Sequence, residues 1–181
     1  MTKAQGGKSR RAIGRIKYSF ERAIDAISVQ RLLKQTTWAR ERSLEGIQKM
    51  LDETPVKLGA WSGEDLIAFA RALSDGMYKA YIDDVVVDEP YRKRGIGAQL
   101  IQRMLEKLKG VKVVFLTCCE KVVAFYLNNA RDSGLSIGDR KLWSHVFALS
   151  VFIEVSCKKC FARSTNAKAQ TNLRRAAEAT A

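Results

Sequence analysis

The stretch Val85-Val-Val-Asp-Glu-Pro-Tyr-Arg-Lys-Arg-Gly-Ile-Gly-Ala98 changes its backbone preference twice. Three consecutive valines suit a strand that is apolar on both faces, as in the middle of a sheet. Pro90 lacks an N–H and breaks that strand. Arg92, Lys93 and Arg94 then precede Gly95 and Gly97. An apolar stripe at helical spacing follows at once, through Ile96, Leu100, Ile101, Met104, Leu105 and Leu108, and Gly110 stops it. Such a turn gathers successive main-chain N–H groups at a helix N-terminus, where the dipole favours an anion. The glycines allow close approach and the three cations add charge-assisted donors. The natural guest is a phosphate or a diphosphate.

Working outward from this segment gives the fold class. Upstream, Ile16, Tyr18 and Phe20 alternate as in a strand, and Ile24, Ile27, Leu32 and Leu33 fall at roughly helical spacing. Ser43 can cap a second helix with Ile47, Met50 and Leu51 as its stripe, ended by Pro55. Residues 56–61, 66–73 and 78–87 read as three strands of a meander, joined by Ser62-Gly-Glu-Asp65 and Ser74-Asp-Gly76 turns. Downstream, residues 111–116 read as a β-branched strand and residues 122–126 begin another helix. Strand, helix and strand between 81 and 117 form a right-handed βαβ crossover with a parallel pair. The fold class is α+β (α/β), a mixed central sheet in which an antiparallel meander joins a βαβ crossover. Trp143 to Val155 can supply a closing hairpin strand. Residues 18–156 are expected to form one domain, between basic tails at 1–17 and 157–181.

Composition narrows the function. The chain has 181 residues, 46% hydrophobic and 28% charged, with a formal charge of +13. That is enough for one globular domain. No apolar run is long enough to span a membrane. Residues 1–17 hold six cations and no acid, and residues 158–181 hold six more against Glu178, so the middle is nearly neutral. The basicity belongs to the ends, and nucleic acid is not the expected partner of the domain. Cys118, Cys119, Cys157 and Cys160 with a sole His145 read as reduced thiols, with no metal site. A P-loop is absent. The dinucleotide fingerprint fails because position 100 is Leu100.

The segment Arg92-Lys-Arg-Gly95-Ile-Gly97 after Val85-Val-Val87, with Ala124-Phe125-Tyr126 on the next helix, resembles the GCN5-related N-acetyltransferase (GNAT) superfamily over residues 56–128. Trp38-Ala-Arg-Glu-Arg-Ser43, Ala70-Arg-Ala-Leu-Ser-Asp75 and Ile82-Asp-Asp84 look more narrowly like cyanobacterial and plastid members, among them serotonin N-acetyltransferase-like proteins. The family's frequent Asn seven residues before the tyrosine is Cys119 here, and its Gly-Phe after the tyrosine is at best displaced to Gly134-Leu135.

The resemblance implies acetyl-CoA as co-substrate, with no metal. Its pantetheine arm is expected against Val85, Val86 and Val87, and its diphosphate on Arg92, Lys93, Arg94, Gly95, Ile96, Gly97 and Ala98. The acceptor is a primary amine, small or on a protein, and the compartment is the cytoplasm or the plastid stroma. Two chemical tasks remain. An alkylammonium of pKa near 10 is mostly charged at pH 7, a deficit of about 4 kcal/mol that a carboxylate can relieve. Asp83 and Asp84 precede the cofactor segment and are expected to alternate faces, so that one of them points inward, with Asp84 preferred. Tyr126 is expected to protonate the departing thiolate. The rival reading is a non-catalytic acetyl-CoA-binding module with an altered C-terminal half.

Overall fold

A computed structural model describes residues 15–132, 136–137, 141–143 and 150–156. Residues 1–14 and 157–181 of the expected tails lie outside the described residues, as does Gly134-Leu135, while Ile16 and Lys17 of the expected N-terminal tail belong to the first strand. The elements in order are β1 (Ile16–Ser19), α1 (Ala26–Leu33), α2 (Leu44–Glu53), β2 (Val56–Ser62), β3 (Asp65–Ser74) and β4 (Lys79–Val87). After them come α3 (Ile96–Lys107), β5 (Val113–Cys119), α4 (Val123–Asp132), β6 (Ser136–Ile137), β7 (Lys141–Trp143) and β8 (Ser150–Ser156). The sheet has eight strands in the order β1-β2-β3-β4-β5-β8-β6, with β7 also paired to β8. The meander β1 to β4 is antiparallel, β4 and β5 are parallel, and β8 returns antiparallel to β5. The expected mixed sheet is therefore present, and the closing hairpin is β7–β8.

Core residues lie on both faces. On one, Leu100, Ile101, Met104 and Leu105 of α3 join Leu58, Ala68, Ile82, Val114 and Leu116 of the strands. On the other, Val29, Leu32 and Leu33 of α1 and Ile47 and Leu51 of α2 cover Trp61, Phe69 and Val86. The local signals act as read for α2: Ser43 Oγ accepts from the Gly46 N–H at 3.0 Å. They fail in part for α1. The helical spacing puts Ile27 on the apolar stripe, yet it is 70% exposed. Asp25 caps the helix by accepting from the Ser28 N–H, so the helix starts at Ala26 and its buried face runs 26, 29, 32 and 33. Ile27 then sits one position, about 100°, off that face. Strand β5 also runs further than expected, through both cysteines to Cys119.

Candidate functional site

The site begins where β4 and β5 part. They pair from Lys79–Val113 to Ile82–Leu116. Both continue, to Val87 and Cys119, without further pairing to each other. A bulge accompanies the parting. Against β3, Arg71 faces Asp83 and Phe69 faces Val86, so β4 carries one extra residue there. Asp84 takes the left-handed conformation at φ 51°. Bulges bend the strand and raise its twist. Residues 83–87 thus present to the wedge a strand edge that β5 no longer covers.

At the mouth of the wedge is the glycine turn. Lys93 (φ 61°) and Gly95 (φ 77°) are both left-handed. Gly95 is the N-cap of α3, with no side-chain cap. The N–H groups of residues 93–98 donate to no acceptor among the described residues, and the first bond of the helix is Gln99 N–H to the Gly95 carbonyl at 3.0 Å. Alternating left-handed residues and unbonded N–H groups at a helix start form an anion cradle. Gly97 permits its close fit. A Cβ there would lie 3.3 Å from Phe125 Cζ and 3.7 Å from Val87 Cγ2. The end of β4, the start of α3 and α4 thereby meet at one point.

The expected cofactor residues differ in what they can offer. Arg92 is engaged internally: Nε donates to the Val87 carbonyl at 2.9 Å and Nη2 to Gln35 Oε1 at 3.2 Å. Two of its donors thus shape the turn, while the side chain stays exposed and charged. Lys93 and Arg94 are exposed, Arg94 with its guanidinium over the Tyr91 ring at 5.9 Å. Val85 and Val87 pack against the α3-side core, while the Val86 side chain is buried on the opposite face. Ile96 is likewise buried, so it can offer only its main chain.

Tyr126 stands on α4, half-buried, with Phe125 edge-on at 5.1 Å between ring centroids. Its hydroxyl bonds to nothing among the described residues. Burial pushes its pKa well above the usual phenol value, and the nearby Cys118, Cys119 and Asp83 add to the rise. Tyr126 packs against the α3-side core, and its phenol is protonated at neutral pH. Cys118 is a buried thiol pushed up to about 11, first by burial and then by Cys119, so it is held neutral and poorly nucleophilic.

The carboxylates overturn the expectation of alternating faces. Because Asp84 is the bulge residue, Asp83 and Asp84 both turn to Arg71. Asp84 Oδ2 accepts from Arg71 Nε at 2.7 Å and from Arg42 Nη1 at 2.5 Å. Its Oδ1 is buried with no hydrogen bond among the described residues, and its side chain is 0% exposed. Asp83 Oδ2 accepts from Arg71 Nη2 at 2.5 Å, and this side chain keeps 26% exposure. Asp84, the preferred base, is thus sealed between two guanidiniums that compete with any incoming ammonium. Sequence reasoning missed Arg42 and Arg71. The signal was Arg71 itself, a cation inside an otherwise apolar strand, which needs a buried anion beside it.

The profile of the Acetyltransferase (GNAT) family matches residues 24–128. The chain belongs to the GNAT family. It is 33% identical over 115 residues to a ycf52-like N-acetyltransferase of Prochlorococcus marinus, covering 60% of this chain and 63% of that protein. It is 40% identical over 62 residues to the chloroplastic GCN5-related N-acetyltransferase 1 of Arabidopsis thaliana, covering 33% and 32%. The matches thus span less than two thirds of either relative. A crystal structure of a GNAT-family protein from Xanthomonas campestris superposes with a TM-score of 0.57 at 26% identity, over 65% of this chain and 84% of that one. Gly95 and Gly97, which shape the turn, lie within the matched residues. Among the described residues no group of His, Cys, Asp or Glu could hold a metal, and no helix is long and apolar enough to cross a membrane.

Proposed function

We propose that this GNAT protein moves the acetyl group of acetyl-CoA directly to a primary amine. The observation that carries the reading is the row of unbonded N–H groups at residues 93–98, set beside the wedge between β4 and β5. A diphosphate fits the cradle by charge and by donor supply. A pantetheine arm, which carries amides of its own, fits an uncovered strand edge along residues 83–87. Lys93 and Arg94 add exposed positive charge at the mouth.

The thioester then lies near Tyr126. The amine nitrogen attacks the thioester carbonyl, the C–S bond breaks, and the electron pair leaves on sulfur. Tyr126 gives its phenolic proton to that sulfur as charge develops. The nitrogen loses one proton as the amide forms, and the phenol regains one through water, so the net release is a single proton from the ammonium. We assign the deprotonation to Asp83 instead of Asp84. Asp83 keeps part of its side chain exposed, whereas that of Asp84 is fully buried. Water between carboxylate and ammonium suits a group that keeps one oxygen on Arg71. The route passes through no acyl intermediate on Cys118, a neutral buried thiol.

The acceptor is a primary amine, small or on a protein, and the compartment is the cytoplasm or a plastid stroma. The test is an acetyl-CoA titration followed by thiol release across an amine panel, with Tyr126→Phe alongside wild type. An enzyme loses roughly 10²-fold or more in kcat through Tyr126→Phe while keeping its acetyl-CoA affinity. Binding with no thiol release on any amine would instead mark a non-catalytic acetyl-CoA module.

A further inference from the structure

The connection between α1 and α2 meets the end of β4 through Gln35, which accepts from the Glu89 N–H and donates to Asp88, and meets the β4 bulge through Arg42. Arg42 immediately precedes the Ser43 cap of α2, and its carbonyl accepts from Gln30 Nε2 of α1 at 3.4 Å. Its Nη1 reaches across to Asp84 Oδ2 at 2.5 Å, while Arg71 Nε of β3 holds the same oxygen at 2.7 Å. Asp84 is the extra residue of the bulge, left-handed at φ 51°. A non-glycine residue keeps that conformation only where its surroundings enforce it. The surroundings here are two guanidiniums on one oxygen of a fully buried side chain, whose other oxygen has no partner among the described residues. Arg71 is shared with Asp83, so it cannot be devoted to Asp84 alone. Arg42 supplies the partner that comes from outside the sheet.

We propose that Arg42 is a positioning residue: through Asp84 it ties the α1–α2 connection to the bulge that opens β4 from β5. This rests on the reading that the wedge takes acetyl-CoA. Movement of the α1–α2 connection is then felt at residues 83–87, along the edge that the pantetheine arm follows. Arg42 touches neither substrate in this scheme. It sets the separation of the two strands.

The test compares Arg42→Met, Arg42→Lys and Asp84→Gly with wild type by amide hydrogen exchange, calorimetry with acetyl-CoA, and steady-state kinetics. Arg42→Met should speed exchange at residues 83–87, leave residues 93–98 as in wild type, and weaken acetyl-CoA binding about tenfold, seen in KM more than in kcat. Arg42→Lys should recover part of this loss. Asp84→Gly relaxes the left-handed strain yet removes the clamp, so it should behave like Arg42→Met. A lower Tm with unchanged exchange at 83–87 and unchanged acetyl-CoA affinity in all three variants would overturn the proposal. If wild type itself takes up no acetyl-CoA, the wedge reading fails, and the exchange pattern still decides on the clamp.

Discussion

Gly95→Ala separates the conformation of the cradle from its contents. Gly95 has φ 77°, and a Cβ built there meets no protein atom within 4 Å. The penalty for alanine is therefore one of backbone alone, about 1–2 kcal/mol for an L-residue held left-handed. Gly76, in the turn between β3 and β4, has φ 75° and equally open surroundings. It is a matched control. Both variants should lower Tm by a similar amount, about 2–8 °C for a chain of this size. They should differ in ligand binding. Alanine resists the left-handed basin, so relaxation at position 95 turns adjoining N–H groups away from their common focus. Loss of one hydrogen bond to a charged diphosphate is worth about 1.5–3 kcal/mol, or roughly 10- to 150-fold in Kd. Differential scanning fluorimetry and calorimetry with CoA on the three proteins read both quantities. If Gly95→Ala melts like Gly76→Ala yet binds CoA as tightly as wild type, the anion does not sit on this turn.

Other outcomes follow from single residues. Asp83→Asn should lower kcat at neutral pH by about 10²-fold with acetyl-CoA affinity kept, measured by thiol release under saturating co-substrate. An unchanged kcat would remove Asp83 from the mechanism. Leu100 is fully buried in the α3-side core, so Leu100→Ala should cost about 2–5 kcal/mol in urea unfolding. Cys118 has a folded pKa raised from 9.0 to about 11 by burial. The unfolded thiol ionises first as pH rises, so this contribution is present below pH 9 and lost by about pH 11. It amounts to about 2–3 kcal/mol at most. Cys118→Val should flatten the alkaline decline of stability, and an identical decline in both proteins would contradict the assignment. Tyr126 acts in the same direction, since its phenol is also pushed up, so a residual alkaline loss should remain in that variant.

Much of the fold was legible because its signals are local. The three valines, Pro90, the glycine pair and the stripe from Ile96 to Leu108 lie in one continuous segment, and each acts through neighbours a few residues away. Turn residues at 62–65 and 74–76 set the meander in the same manner. Ile27 shows the limit. Several apolar residues in α1 fit a helical stripe, and the Asp25 cap fixes which of them face the sheet. Arg92 shows another, since nothing in its neighbourhood of sequence reveals that Gln35 will take one of its donors.

The sequence by itself determined that a glycine turn opens a helix directly after an apolar strand, since backbone preference is a property of that segment alone. Only the tertiary structure decided what the two aspartates do. Arg42 and Arg71 come from distant positions and a different strand, and their convergence on Asp84 accompanies a register shift that the alternating pattern of a regular strand cannot express. Ion pairing between remote residues depends on where the chain brings their charges, and that is set by packing of the whole sheet and not by spacing along the chain.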